Sequence, residues 1–303
     1  MRFHRRIPLT AVVLALALSN GAPTASAVIR PGGYESVKIT LTAPQFGKIG
    51  SYVACPTGKR AVAGGAYWHR AGQAADATLS AVITASGPTD GMRQWFGGGY
   101  NLNPGPLQLS IVAFCLPAAS IGTPTLVRVN IRAEPQFDVL MEPNCPANTK
   151  LLSAGVFWSW EGPPLPDMST PSSMKGWAPK PGGAGFWATG RNSAGSNTTR
   201  YDHLWATLMC SPPSVTGTYS SRTTRRHVAA GAAAVSTANC PPGQRVVTGG
   251  TLWQRPAGNL DRTINAGLVG SAPNATATGW SGWGKNRETS ENLLVTTVLC
   301  APA

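Results

Sequence analysis

The chain has 303 residues and a net charge of +13, yet only 12% of its residues are charged, against about 25% in typical soluble domains. Long exposed helices need the Glu and Lys that are scarce here, while 35 Gly and 26 Pro favour short strands joined by turns. A hydrophobic fraction of 42% with ten Trp excludes a disordered chain and provides for a substantial core.

At the start, Arg2, Arg5 and Arg6 precede an apolar run from Ile7 to Leu18, and small residues Ala25-Ser26-Ala27 follow. This is the layout of an export signal over 1–27, with a mature chain beginning near Val28. The run is shorter than the ~20 residues of a membrane-spanning helix, and no later stretch approaches that length. The protein is therefore expected to be secreted, without a membrane span. The mature part keeps 22 basic and 12 acidic residues, a balance of about +10. Such a charge attracts anionic polymers without specifying one. The one dense basic cluster is Arg222, Arg225, Arg226 and His227.

Alternating segments such as Ser36–Leu41 and Val127–Arg132 predict half-buried strands. A longer pattern then appears three times. Cys55-Pro-Thr-Gly-Lys-Arg-Ala-Val-Ala-Gly-Gly-Ala-Tyr-Trp68 aligns with Cys145-Pro-Ala-Asn-Thr-Lys-Leu-Leu-Ser-Ala-Gly-Val-Phe-Trp158 and with Cys240-Pro-Pro-Gly-Gln-Arg-Val-Val-Thr-Gly-Gly-Thr-Leu-Trp253. The downstream halves keep the same register. Pro88, Pro179 and Pro273 precede the aromatics Trp95, Phe186 and Trp280, which precede Asn101, Asn192 and Asn286. An apolar strand then runs into Cys115, Cys210 or Cys300. Repetition of this kind marks one supersecondary unit used three times, at 34–120, 121–214 and 215–303.

The expected fold is all-β, three tandem disulfide-bonded units, each a β-sandwich or β-barrel. Within a unit, Pro-x-Gly or Pro-x-Asn predicts a tight turn. The Gly-Gly step predicts a bulge or a close backbone approach. Six cysteines in an exported chain predict three disulfides. Two connectivities respect the repetition. Pairing within units joins Cys55 to Cys115, Cys145 to Cys210 and Cys240 to Cys300. Pairing between units joins Cys115 to Cys145 and Cys210 to Cys240, and closes a ring from Cys55 to Cys300. The first treats every unit alike and is favoured.

The Cys-Pro-x-Gly-x-[Lys/Arg]-x-Val-x-Gly-Gly opening, with its late apolar strand ending in Cys, resembles repeats in secreted proteins of Streptomyces-like actinobacteria. The resemblance spans all three units and implies an origin and an export route. It implies no activity. The second unit departs most, with Asn148 and Ala154 in place of Gly and five extra residues between its cysteines.

Little in the chain marks catalysis. His69, His203 and His227 occupy unrelated places in their units, and no nucleophile elbow, zinc-protease helix or phosphate loop occurs. Asp167 with Glu161, or Asp202 with His203, are the only acid–base pairings suggested. No cofactor, metal or specific nucleic-acid partner is expected, since neither ligand spacing nor basic–aromatic interleaving is present.

The recurring aromatics read as core. Trp160, Trp177, Trp205 and Trp283 do not recur, which makes them candidates for a surface platform. The second unit alone combines Trp160, Glu161, Asp167 and Trp177 between its repeated Trp and Phe186, and these four are the candidate binding residues. An aromatic face beside a carboxylate stacks on a sugar and accepts its hydroxyls. The expected function is non-catalytic, multivalent binding of a carbohydrate or cell-envelope polymer. A structural or protein-interaction role in an extracellular assembly is the alternative, and a secreted hydrolase is third.

Overall fold

A computed structural model of the chain describes residues 33–160, 172–194, 201–212, 219–258, 260 and 264–303, with Asp90 and Trp160 by backbone only. The predicted signal lies outside these residues. Each unit holds six strands. The first has β1 (Glu35–Ala43), β2 (Lys48–Ala54), β3 (Lys59–His69), β4 (Ala81–Pro88), β5 (Gln94–Asn101) and β6 (Leu107–Pro117). The second has β7 (Thr125–Ala133), β8 (Asp138–Met141), β9 (Leu151–Trp160), β10 (Ser173–Pro179), β11 (Phe186–Arg191) and β12 (Asp202–Cys210). The third has β13 (Ser220–Val228), β14 (Ala233–Asn239), β15 (Gln244–Gln254), β16 (Ala266–Pro273), β17 (Gly279–Asn286) and β18 (Asn292–Pro302). The described residues contain no α-helix.

The Pro-x-Gly signal folds as expected. Gly58, Asn148 and Gly243 all take positive φ, and the amide three residues after each Pro, on Lys59, Thr149 or Gln244, closes back on the carbonyl of Pro56, Pro146 or Pro241. Asn148 replaces Gly without loss because Asn tolerates this region better than other side chains.

The strands assemble as three six-stranded antiparallel sheets, and every sheet is shared by two units. Sheet A runs β1-β6-β3-β16-β17-β14, from units one and three. Sheet B runs β2-β5-β4-β9-β12-β7, from units one and two. Sheet C runs β13-β18-β15-β10-β11-β8, from units three and two. A unit thus places its first, sixth and third strands in one sheet and its second, fifth and fourth in another, sandwich-fashion. The seams are short: Tyr67 and Ala66 pair with Gly270 and Ser271, Ala85 and Ser86 with Phe157 and Val156, and Gly176 and Trp177 with Leu252 and Thr251. Each seam joins a different pair of units, so the arrangement closes into a ring with pseudo-threefold register.

The three disulfides are Cys55–Cys115, Cys145–Cys210 and Cys240–Cys300, all within units. In each unit one cysteine follows the second strand and its partner lies in the sixth, so the bridge ties the two sheets that the unit feeds. On the chain-entropy account, closing a loop of this length contributes about 4 kcal/mol.

One cluster of buried residues draws on all three units and includes Trp68, Trp95, Trp158, Trp177, Phe186 and Trp253. The units therefore share an interior. The Gly-Gly step is the device that lets them do so. A Cβ on Gly64 would fall 2.4 Å from the Trp95 ring, and one on Gly65 would fall 2.1 Å from the Ser271 carbonyl oxygen across the seam. The first Gly makes room for an indole and the second for a neighbouring unit's backbone. The bulges lie two residues earlier, at Val62, Leu152 and Val247. The recurring Asn101, Asn192 and Asn286 are fully buried, and their amides donate to backbone carbonyls of the first strand or the loop that follows it, holding the strand ends together.

Candidate functional site

Side chains alternate along a strand, so a residue beside a buried Trp points outward. Trp68 is buried, and Tyr67 lies on the outer face of sheet A. The register then defines one row across all six strands: Thr40, Ser110, Tyr67, Gly270, Trp283 and Val235. Tyr67 and Trp283 are half-buried, and their rings meet 5.6 Å apart above Gly270, which has no side chain to separate them. The Lys38 ammonium lies 5.6 Å from the Tyr67 ring.

The matching row of sheet B is Gly50, Gly98, Ala85, Phe157, Trp205 and Asn130. Here Phe157 and Trp205 are nearly parallel, 6° apart with centroids at 6.3 Å. The Trp205 indole donates to Ser159 Oγ at 2.7 Å, which fixes the ring. Tyr52 and Phe96 form a second ring pair in the next row. In sheet C the row reads Arg225, Val295, Leu252, Gly176, Thr189 and Leu140, with no aromatic. Equivalent positions therefore carry ring pairs on two faces, each with a half-exposed Trp, and aliphatic groups on the third.

Beside the sheet A row lies an open groove of about 630 Å³, between residues Gln73–Thr78 and Ala233–Val235, with Arg226 at its wall. Asp76 is its carboxylate. Partial burial opposes ionisation of Asp76, but the Thr78 hydroxyl and amide and the Arg70 guanidinium outweigh it and hold the pKa below the ordinary value. The groove thus presents a fixed anion and the exposed guanidinium of Arg226.

The residues singled out from sequence fare differently. Trp177 is fully buried on β10 at the seam, so it packs the interior and offers no platform, contrary to the expectation. Trp160 ends β9 opposite Asp202, and its side chain lies outside the description, as do Glu161 and Asp167. Of the four non-recurring Trp, Trp205 and Trp283 are the ones found half-exposed on outer faces. The signal that separates them from Trp177 is their place in a row across a sheet, which needs the strand register.

The suggested Asp202–His203 pairing does not form. Adjacent residues face opposite sides: Asp202 is buried and accepts from Ser172 Oγ at 2.6 Å, while His203 contacts Asn130 on the outer face. His69 does meet a serine, with Nε2 at 2.8 Å from Ser110 Oγ and Nδ1 at 2.9 Å from the Arg70 carbonyl. Ser110 is fully buried, and it sits mid-strand in β6, paired on both sides, so the neighbouring amides serve the ladder rather than an oxyanion. The basic cluster lies on β13, an exposed edge strand, where Glu291 meets His227 at 2.7 Å.

Among the described residues no group of three or more His, Cys, Asp and Glu side chains is placed to hold a metal, and no helix is long and apolar enough to cross a membrane. In comparisons with known proteins, no family model and no curated protein matches the chain.

Proposed function

We propose that this is a secreted, non-catalytic protein that binds a polysaccharide or other cell-envelope polymer, using the outer faces of sheets A and B. One observation carries the reading: in pseudo-equivalent rows, two faces present a half-exposed Trp against a second ring, Trp283 beside the half-exposed Tyr67 and Trp205 beside the buried Phe157. Flat rings on a rigid sheet stack on the apolar faces of sugar rings at little entropic cost. The exposed hydroxyl of Thr40 and amide of Asn130 beside them supply hydrogen-bond partners. The equivalent row of sheet C has no ring pair, and the half-exposed Trp187 on that face packs with the aliphatic Leu252 and Val295 rather than with a second ring; two paired-ring sites on one rigid body gain avidity on a long polymer. The three disulfides fit an oxidising, extracellular setting.

Pull-down of the purified disulfide-bonded protein against a panel of insoluble polysaccharides tests this. Trp205→Ala and Trp283→Ala should each weaken retention about tenfold, the scale of one lost stacking contact, and the double variant should lose it. Both positions are half-exposed, so the melting temperature should move little. A double variant that is retained like the parent defeats the reading and leaves the protein-interaction role in its place.

A further inference from the structure

We infer that the free edge of β13 docks an extended, acidic segment of another protein, added as a further strand of sheet C. β13 ends that sheet and pairs with β18 alone. It departs from the matching edge strands of the other units. Counted from the residue opposite the closing cysteine, the second, fourth and sixth residues on are Val37, Ile39 and Leu41 in β1, and Val127, Val129 and Ile131 in β7. All six pack against the shared interior. In β13 the same places hold Arg222, Thr224 and Arg226, all exposed. On the facing strand, Ile49 and Val53 of β2 give way to Ala234 and Ala238 of β14. The third unit therefore leaves open an edge that the other two line with aliphatic side chains.

Every residue from Arg222 to His227 is exposed, so both faces of the strand meet solvent. The Thr224 carbonyl accepts from Ser236 Oγ at 3.3 Å. Among the described residues, no other bond from outside the β18 ladder reaches the backbone of residues 221–227. Nor do Arg222, Arg225 and Arg226 have an ion pair or side-chain hydrogen bond among the described residues. Two acids lie near the end of the strand, and both are engaged. Glu291 meets His227 at 2.7 Å, and Asp76, which shares the groove with Arg226, is held by Arg70 and Thr78.

An unpaired row of backbone N–H and C=O groups is matched in register by another strand. Like charges guard such an edge against a second copy of itself, and this chain has no acidic strand to offer in return. Among the described strands the acidic residues are Glu35, Asp138 and Asp202, one each in β1, β8 and β12. A partner strand with an acid at every second position places carboxylates opposite both Arg222 and Arg226, which stand about 13 Å apart, four residues at ~3.3 Å each. Residues paired across strands lie about 5 Å apart, within reach of a guanidinium. This surface stands apart from the ring pairs of sheets A and B and does not depend on them.

The test uses the purified disulfide-bonded protein and a labelled, end-blocked peptide of alternating Thr and Glu, about eight residues long, a usual strand length. One control peptide replaces Glu by Gln; a second keeps every charge but is N-methylated at alternate amides, which removes the donors along one edge. The parent peptide should bind at least tenfold more tightly than either control, and should slow amide hydrogen exchange over residues 221–227. Arg222→Gln with Arg226→Gln should weaken it at least tenfold, and Arg222→Glu with Arg226→Glu should move the preference to a Thr-Lys peptide. An N-methylated peptide held as tightly as the parent overturns strand addition and leaves a polyanion patch. No binding of the acidic peptide, or binding indifferent to the glutamine pair, overturns the site, and the arginines then serve only to guard the edge. Dimerisation of the protein that the glutamine pair abolishes gives the edge to a second copy instead.

Discussion

Ser86 and Ser271 occupy the same inward seam position in units one and three, where each accepts a hydrogen bond from an indole, that of Trp95 or Trp280. In unit two the Ser position is Trp177, the Trp position is Phe186, and the Gly of Gly64 and Gly249 is Ala154. The three exchanges compensate: the indole moves to the neighbouring strand, a smaller ring takes its old place, and the Gly that made room for it gains a methyl. Trp177 is thus a core residue in a new position, which is why it seemed non-recurring. Trp177→Ala should cost about 3–5 kcal/mol, as for other buried large-to-Ala changes. The triple change Ala154→Gly, Trp177→Ser, Phe186→Trp should recover part of that loss in denaturant titration. A Trp177→Ala protein as stable as the parent would contradict this packing. Lys175, which bulges from the same strand, is another departure: it is buried and lies 2.5 Å from Asp138 as an ion pair rather than an aligned hydrogen bond, with Arg191 at 3.4 Å on the other carboxylate oxygen.

At the scale of elements, the strand pairs at the seams decide whether units dock. Each seam has two residue pairs and two Gly where backbones converge: Gly65 and Gly270, Gly87 and Gly155, and Gly176 and Gly250. Gly155→Ala puts a methyl into the Gly87 backbone, which cannot yield as a flexible side chain would. We expect a loss of about 1–3 kcal/mol or more from overpacking, read as a lower denaturation midpoint. Gly105→Ala, where a Cβ meets nothing within 4 Å, is the control and should be nearly neutral. Equal effects of the two changes would show that seam contact is not what the Gly serves. The bulges at Thr84, Lys175 and Val269 sit next to these convergence points, where a local twist turns the strand toward its neighbour.

For the whole molecule, two neighbouring phenols, Tyr34 and Tyr219, pack against the shared interior where units meet. Tyr34, before β1, donates to the Val246 carbonyl on β15, joining the first unit to the third. Burial, with a smaller contribution from Tyr219, raises the Tyr34 pKa, and burial raises that of Tyr219. Both are neutral in the folded state and ionise near their ordinary value of 10.0 once unfolded. A raised folded pKa means that this stability is complete below the unfolded value and is lost as pH climbs past it. Denaturant midpoints should be flat up to about pH 10 and fall above it, and Tyr34→Phe with Tyr219→Phe should flatten the fall. An unchanged alkaline slope in that double variant would rule these phenols out.

The repetition, the all-β class, the pairing of cysteines within units and the Pro-x-Gly turns are set by local chemistry, and local chemistry is legible in order along the chain. Cys55, Pro56 and Gly58 act on their immediate neighbours, and three copies multiply the signal. The sharing of sheets was not legible, because the seams rest on two residue pairs each and Gly65 or Gly155 names no partner. The burial of Trp177 was not legible for the same reason. Whether Trp177 or Trp205 meets solvent depends on which strand lies beside it and which face that strand turns outward. A one-residue shift of register would exchange the two faces, and register across a seam is fixed by the packing of a second unit rather than by anything in the first.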